Sequence, residues 1–182
     1  LLDQQSNVTF IGVADPSPTA RQNIEKELGV STFEDYRTLL SRIDAAVIAT
    51  PTRTHFAIAN ELLRRKIHLL IEKPMTDSVA TAQQLASLAD RTRCIVQVGH
   101  CERFNPALKE ALSHVGQPKF VVANRLSGFT FRSTDIGIVH DLMIHDIDIV
   151  LSMVRSKVKE IRATGDSVMT GKIDVVKAWL EF

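Results

Sequence analysis

IDAAVIATP, Ile43 to Pro51, decides the fold. A short apolar run bounded by Asp44 and a Thr-Pro turn reads as a strand buried on both faces, as in a parallel sheet. Downstream, Thr52 to Lys66 reads as a helix with Phe56, Ala59 and Leu63 on one side. KIHLLIEKP is a second buried strand, SVATAQQLASLAD a helix and RCIVQVG a third apolar strand. Upstream, NVTFIGVAD (Asn7 to Asp15) is β-branched and loosely alternating, so it is a strand. PSPTARQNIEKELG follows as turn, helix and glycine stop at Gly29. VSTF is a short strand and FEDYRTLL a short helix. Strands alternating with helices imply crossover units and an α/β, Rossmann-like, doubly wound parallel sheet.

After Gly99 the alternation ends. NPALKEALSHV reads as a helix, PKFVVANRLS as a strand, and Gly137 to Met153 as a helix. VKEIRATGDSV and IDVVKAWLEF read as two neighbouring strands. This is part of an α+β open-sheet domain. The boundary falls within Arg103 to Pro118, dividing the chain into 1–105 (dinucleotide-binding) and 106–182 (substrate-binding and oligomerisation).

The 182 residues are 45% hydrophobic and 24% charged, enough for a sizeable core. A net charge of +1 offers no general basic field for nucleic acid. No apolar run approaches membrane-spanning length, and LLDQQSNVTF has no signal-peptide character. Two cysteines, Cys94 and Cys101, form no zinc or redox motif; a reducing, cytoplasmic compartment fits. Cys94 reads as a small core residue.

Five stretches carry chemistry, each with a plain structural alternative. Asp15 ends a strand before Pro16-Ser17-Pro18. It is either a ribose acceptor, whose charge favours NAD over NADP, or a strand-end turn residue. ATPTRTH, Ala49 to His55, opens a helix at a strand end, where N–H groups meet cofactor oxygens or Thr52 or Thr54 serves as cap. In IEKPM, Lys73 closes a strand at the sheet's C-terminal edge. It is placed for proton transfer or simply solvated, with Glu72 on the opposite face. In GHCERFNP, Gly99 allows close approach, Arg103 offers a fork for phosphate or carboxylate, and His100 and Asn105 offer hydrogen bonds. Alternatively, Asn105 caps a Pro-led helix. HDLMIHDIDIV, His140 to Val150, sets Asp141, His145 and Asp148 on one helix face. Leu142, Ile149 and Met153 face the core, and Asp146 points into solvent. That stripe reads as an acid/base pair, a salt-bridged exposed face or a metal site.

Taken in order, ADPS, ATPTRTH, EKP, GHCERFNP and DIGIVHDLMIHDID resemble the Gfo/Idh/MocA family of NAD(P)-dependent oxidoreductases, from Val8 to Phe182. The resemblance implies that Lys73, His145 and Asp141 are catalytic. It implies that Asp15, Thr50, Pro51, His55, Glu72 and Lys73 border NAD, with NADP disfavoured and no metal required. The implied reaction moves a hydride between a sugar carbinol carbon and nicotinamide. His145 is the base and Lys73 stabilises the alkoxide, or the reverse. RFNP together with the DIGIVHDLMIHDID helix is most similar to nucleotide-sugar 3-dehydrogenases, so the substrate is a sugar or UDP-sugar, with C3 of UDP-N-acetylglucosamine the implied position. Lys73, Arg103, Asn105, Arg125 and Arg132 are its candidate contacts, the arginines by charge alone. A homo-oligomer through the second sheet is also implied. Two other functions stand beside this one: a silent dinucleotide or sugar binder, and a metal-dependent sugar isomerase using Asp141, His145 and Asp148.

The family opens with a strand and a glycine-rich phosphate loop, and this chain starts just before the second strand. It reads as a fragment, cut short at both ends. In the strand order 3-2-1-4-5-6, the NVTFIGVAD strand then has no inner neighbour. These residues alone are expected to bind NAD weakly.

Overall fold

The computed structural model describes residues 7–128 and 137–182. The first five strands are short: β1 (Val13–Ala14), β2 (Thr32–Phe33), β3 (Ala45–Ile48), β4 (His68–Glu72) and β5 (Val96–Gly99). Every pairing among them is parallel. Helix α1 (Pro18–Leu28) links β1 to β2, α2 (Thr52–Arg64) links β3 to β4, and α3 (Val79–Thr92) links β4 to β5. Local chemistry sets the helix ends. Ser17 accepts from the Ala20 N–H before Pro18, and Gly29 stops α1 in the left-handed region (φ 65°). Ser78 caps α3 by accepting from the Thr81 N–H.

The core lies between α2, α3 and one face of β3–β5. Ile48, Leu62, Leu63, Leu69, Ile71, Leu85 and Leu88 are buried there. Full burial of each such aliphatic side chain contributes roughly 1.5–3 kcal/mol. Cys94 packs at its margin, half-buried. The expectation that IDAAVIATP is buried on both faces is corrected. Ile48 is buried, but Val47 on the other face is 58% exposed and Leu70 beside it 37%. Both α2 and α3 pack on the side that carries Ile48, Leu69 and Ile71.

The parallel strands form two separate ladders, β1–β2 and β3–β4–β5. In the order 3-2-1-4-5-6, the break falls where the first strand would lie, as the sequence leads one to expect. Of NVTFIGVAD, the two residues of β1 form a strand, and among the described residues β2 is their ladder partner. Gly12 is fixed by this pairing: its φ is 152°, and a Cβ there would stand 2.5 Å from the Ser31 carbonyl oxygen.

Beyond β5 come a 3₁₀ turn (Cys101–Phe104) and α4 (Pro106–His114). A π-turn (Val139–Met143) then leads into α5 (Ile144–Met153). Strands β6 (Glu160–Asp166) and β7 (Val175–Glu181) pair antiparallel, as the sequence suggests. PKFVVANRLS is not a strand. Residues 118–128 find no ladder partner among the described residues, and without one an extended apolar segment has no sheet to join. Its Phe120 instead meets Trp179 of β7, centroids 6.0 Å apart. Helix α5 also departs from expectation. Ile149 and Met153, like Leu142 in the π-turn, are only half-buried, and the buried residue of α5 is Asp148.

Candidate active site

The C-terminal ends of β3, β4 and β5 lie side by side in register, with Glu72 opposite Gly99. Ligands of open parallel sheets sit beyond such ends. Lys73 leaves β4 here. Pro74, joined by a cis peptide bond, ends the strand. The Lys73 ammonium donates to the Asp141 backbone oxygen at 2.7 Å and to its Oδ1 at 3.1 Å. Glu72 turns its carboxylate toward Gly99, where a Cβ would sit 3.0 Å from Oε2. Glu72 Oε2 also accepts from the Lys73 N–H at 3.3 Å.

Helix α5 is held by two forked ion pairs, one from the 3₁₀ turn after β5 and one from the 118–128 segment. Arg103 grips Asp148 through Nε to Oδ2 and Nη2 to Oδ1, both 2.6 Å. Arg125 grips Asp146 in the same forked manner at 2.9–3.1 Å. His145 lies between these anchors. Burial, then the Lys73 and Arg125 charges, hold its pKa below the ordinary imidazole value. Its Nδ1 is buried with no hydrogen-bond partner among the described residues, as is Nδ1 of His100, 3.9 Å from Asp148 Oδ1. Burial pushes the Asp148 carboxyl up, but the Arg103 hydrogen bond and the His100 and Arg103 charges outweigh it. The net pKa lies below the usual carboxylate range.

The structure brings Lys73, Asp141 and His145 together and gives several other expected residues partners within the protein. Arg103 and Arg125, expected on a diphosphate, face carboxylates of α5; a reading by charge alone does not see the acid across the fold. Asp146, expected in solvent, is the Arg125 partner, its side chain 20% exposed. Asn105, expected on cofactor or substrate, caps α4 by accepting from the Ala107 N–H at 3.0 Å. His55, expected on the cofactor, is 1% exposed, its ring nitrogens facing the Pro74 oxygen at 3.0 Å and the Thr50 oxygen at 2.8 Å. Thr50 and Pro51 are exposed at the end of β3. Neither Thr52 nor Thr54 caps α2: its N-cap is Pro51, without a side-chain cap, and Thr54 Oγ1 donates to Thr50 Oγ1. Asp15 follows β1; its Oδ1 accepts from the Ser17 N–H at 2.7 Å. Arg132 lies outside the described residues. Sequence reasoning missed Asp146 and Asp148 as arginine partners. The available signal was two acids, one on each side of Ile147, on a helix facing two otherwise unmatched arginines.

Arg103→Ala strips the buried Asp148 of its forked donor and is expected to cost about 2 kcal/mol of stability. A urea midpoint compared with that of Asp148→Asn checks it. Because the folded pKa of Asp148 is depressed, the pair's contribution is in place above the unfolded carboxylate value of about 3.9. It is lost as pH falls through the folded value.

A family model described as "Oxidoreductase family, NAD-binding Rossmann fold" (GFO_IDH_MocA) matches residues 1–100. UDP-N-acetylglucosamine 3-dehydrogenase of Acidithiobacillus ferrooxidans is 35% identical over 170 residues, 93% of this chain and 54% of that protein. Inositol 2-dehydrogenase of Rubrobacter xylanophilus is 30% identical over 165 residues, 86% of this chain and 48% of that protein. The chain thus spans about half the length of the curated relatives it matches. A solved structure of the Acidithiobacillus enzyme superposes with a TM-score of 0.86, covering 94% of this chain and 57% of that one. An NAD-binding protein from Listeria innocua, 23% identical, shares the fold, with a TM-score of 0.80 over 98% of this chain and 57% of that one. With a parallel Rossmann sheet followed by an α+β segment, the chain belongs to the Gfo/Idh/MocA family of oxidoreductases.

Proposed function

We propose that the protein is an NAD-dependent dehydrogenase acting on a CH–OH group of a sugar or nucleotide sugar. The observation that carries this is the Lys73–Asp141 pair beside His145 at the C-terminal edge of β4. Its cofactor fits that edge: Asp15 at the end of β1 for the adenine ribose, the exposed Thr50–Pro51 loop, and Glu72 and Lys73 for the nicotinamide end. When bound, NAD supplies the hydride acceptor.

The residues' work follows from their charges. A hydroxyl that loses hydride must also lose a proton. His145, kept neutral by burial and by the neighbouring ammonium, is the base that takes it. Lys73 lends positive charge to the developing alkoxide. Asp141 holds the ammonium by both its carbonyl and its carboxylate. Arg103 and Arg125 serve the site by fixing α5, the helix that carries His145. We place the division between a dinucleotide-binding and a substrate-binding part near residues 105 and 106. The exposed Ile161, Val175 and Trp179 of β6–β7 support self-association through that sheet.

The resemblance to a UDP-N-acetylglucosamine 3-dehydrogenase makes a UDP-sugar oxidised at C3 the first substrate to try. The intact protein, given NAD, should reduce it with UDP-N-acetylglucosamine or another sugar of a panel that includes inositols. Reduced-cofactor absorbance is the readout. Dinucleotide binding without turnover on any panel member would favour the silent binder. A metal-dependent isomerase is less well supported, because Asp141 is paired with Lys73 and Asp148 with Arg103.

A further inference from the structure

Two loops must stay in register for the proposed reaction: the end of β3, at Thr50–Pro51, and the Lys73–Pro74 turn after β4. No main-chain hydrogen bond joins them among the described residues. One side chain does. His55, in the first turn of α2, lies between the Thr50 carbonyl oxygen (Nε2, 2.8 Å) and the Pro74 carbonyl oxygen (Nδ1, 3.0 Å). At 1% exposure the ring is walled off from solvent and from any ligand. Both carbonyls are acceptors, and a neutral imidazole donates through only one nitrogen. A neutral ring donates to one of the two carbonyls and a protonated ring to both; in each case His55 is the side chain that lies between the two loops.

We infer that His55 is a positioning residue: a clasp that holds the Lys73–Pro74 turn against the Thr50 loop and thereby sets the height of the Lys73 ammonium. The inference rests on Lys73 serving the reaction, and it differs from a cofactor contact because both ring nitrogens face main-chain oxygens. A small misplacement of a catalytic group costs up to about a hundredfold in rate, so the clasp has leverage on turnover without meeting substrate.

The test uses His55→Ala and His55→Phe in the intact protein. Phenylalanine fills the space and removes the ring's hydrogen-bonding capacity. Hydrogen–deuterium exchange should quicken together in segments 50–54 and 72–76 of both variants, while α3 and the β6–β7 ladder keep wild-type protection. Turnover should fall about tenfold or more, with the sugar KM nearly unchanged. Wild-type exchange in both segments of folded His55→Phe would overturn the clasp. Quickened exchange with undiminished turnover would show a clasp without positioning, and would also overturn the inference. Should neither variant fold, imidazole NMR of the unaltered protein decides. A slowly exchanging ring N–H with contacts to both Thr50–Pro51 and Lys73–Pro74 upholds the clasp, and a freely exchanging ring refutes it. Failure of the Lys73 reading is separate: it shows as full turnover in Lys73→Met, whatever the exchange data say.

Discussion

Lys73→Met is expected to lower kcat about 10³-fold, because it removes the ammonium proposed to face the forming alkoxide. Methionine keeps much of the stem's volume, so the end of β4 and the Pro74 turn should stay in place. Dinucleotide affinity should fall far less than kcat. The Lys73 side chain is 20% exposed and its ammonium is shared with Asp141, so the variant also leaves the Asp141 carboxylate without its cation. Steady-state kinetics with the substrate found in the panel, alongside NAD titration by calorimetry, separates the two effects. Near-normal kcat in the variant would end the assignment of Lys73 to the chemistry.

His145→Ala is the second large effect, expected at about 10²–10⁴-fold in kcat/KM for loss of a general base. The pH profile tests the same residue without deleting it. A base works unprotonated. Since burial and the Lys73 charge lower its pKa, the acid limb of kcat/KM should lie below the ordinary imidazole value of about 6.5. In Lys73→Met the repelling charge is gone, so an NMR titration of His145 should give a higher pKa there than in the wild type. Burial, the larger cause, still holds it down. The stability linkage has the matching sign: between the folded and unfolded values the unfolded chain binds more protons, so stability rises with pH across that interval. A limb above the ordinary imidazole value would remove His145 from the role of base.

The parallel sheet was legible because its strands announce themselves locally: apolar runs such as AAVI and HLLIE, each followed by a helix. The break between β1 and β3 was legible only through the family resemblance, which supplies the strand order 3-2-1-4-5-6. What sequence could not supply was contact across distance. That Arg103 meets Asp148, 45 residues on, and Arg125 meets Asp146, 21 residues on, depends on where α5 docks. No local pattern encodes that. The strand expected over PKFVVANRLS failed similarly, because β-propensity describes a side chain's fit to a sheet and not whether a neighbour exists. His55 was misread from its place in the motif: a histidine near a cofactor loop looks like a contact until its burial is known.

The π-turn at Val139–Met143 gives the helix holding Asp141 and His145 a seam. Its hydrogen bonds span five residues rather than four, as in the Ile144 N–H to the Val139 oxygen, so it holds one residue more than an α-helical turn. Excising a single residue there would let an ordinary α-helix form, swinging Asp141 away from the ammonium while leaving everything after Ile144 in place.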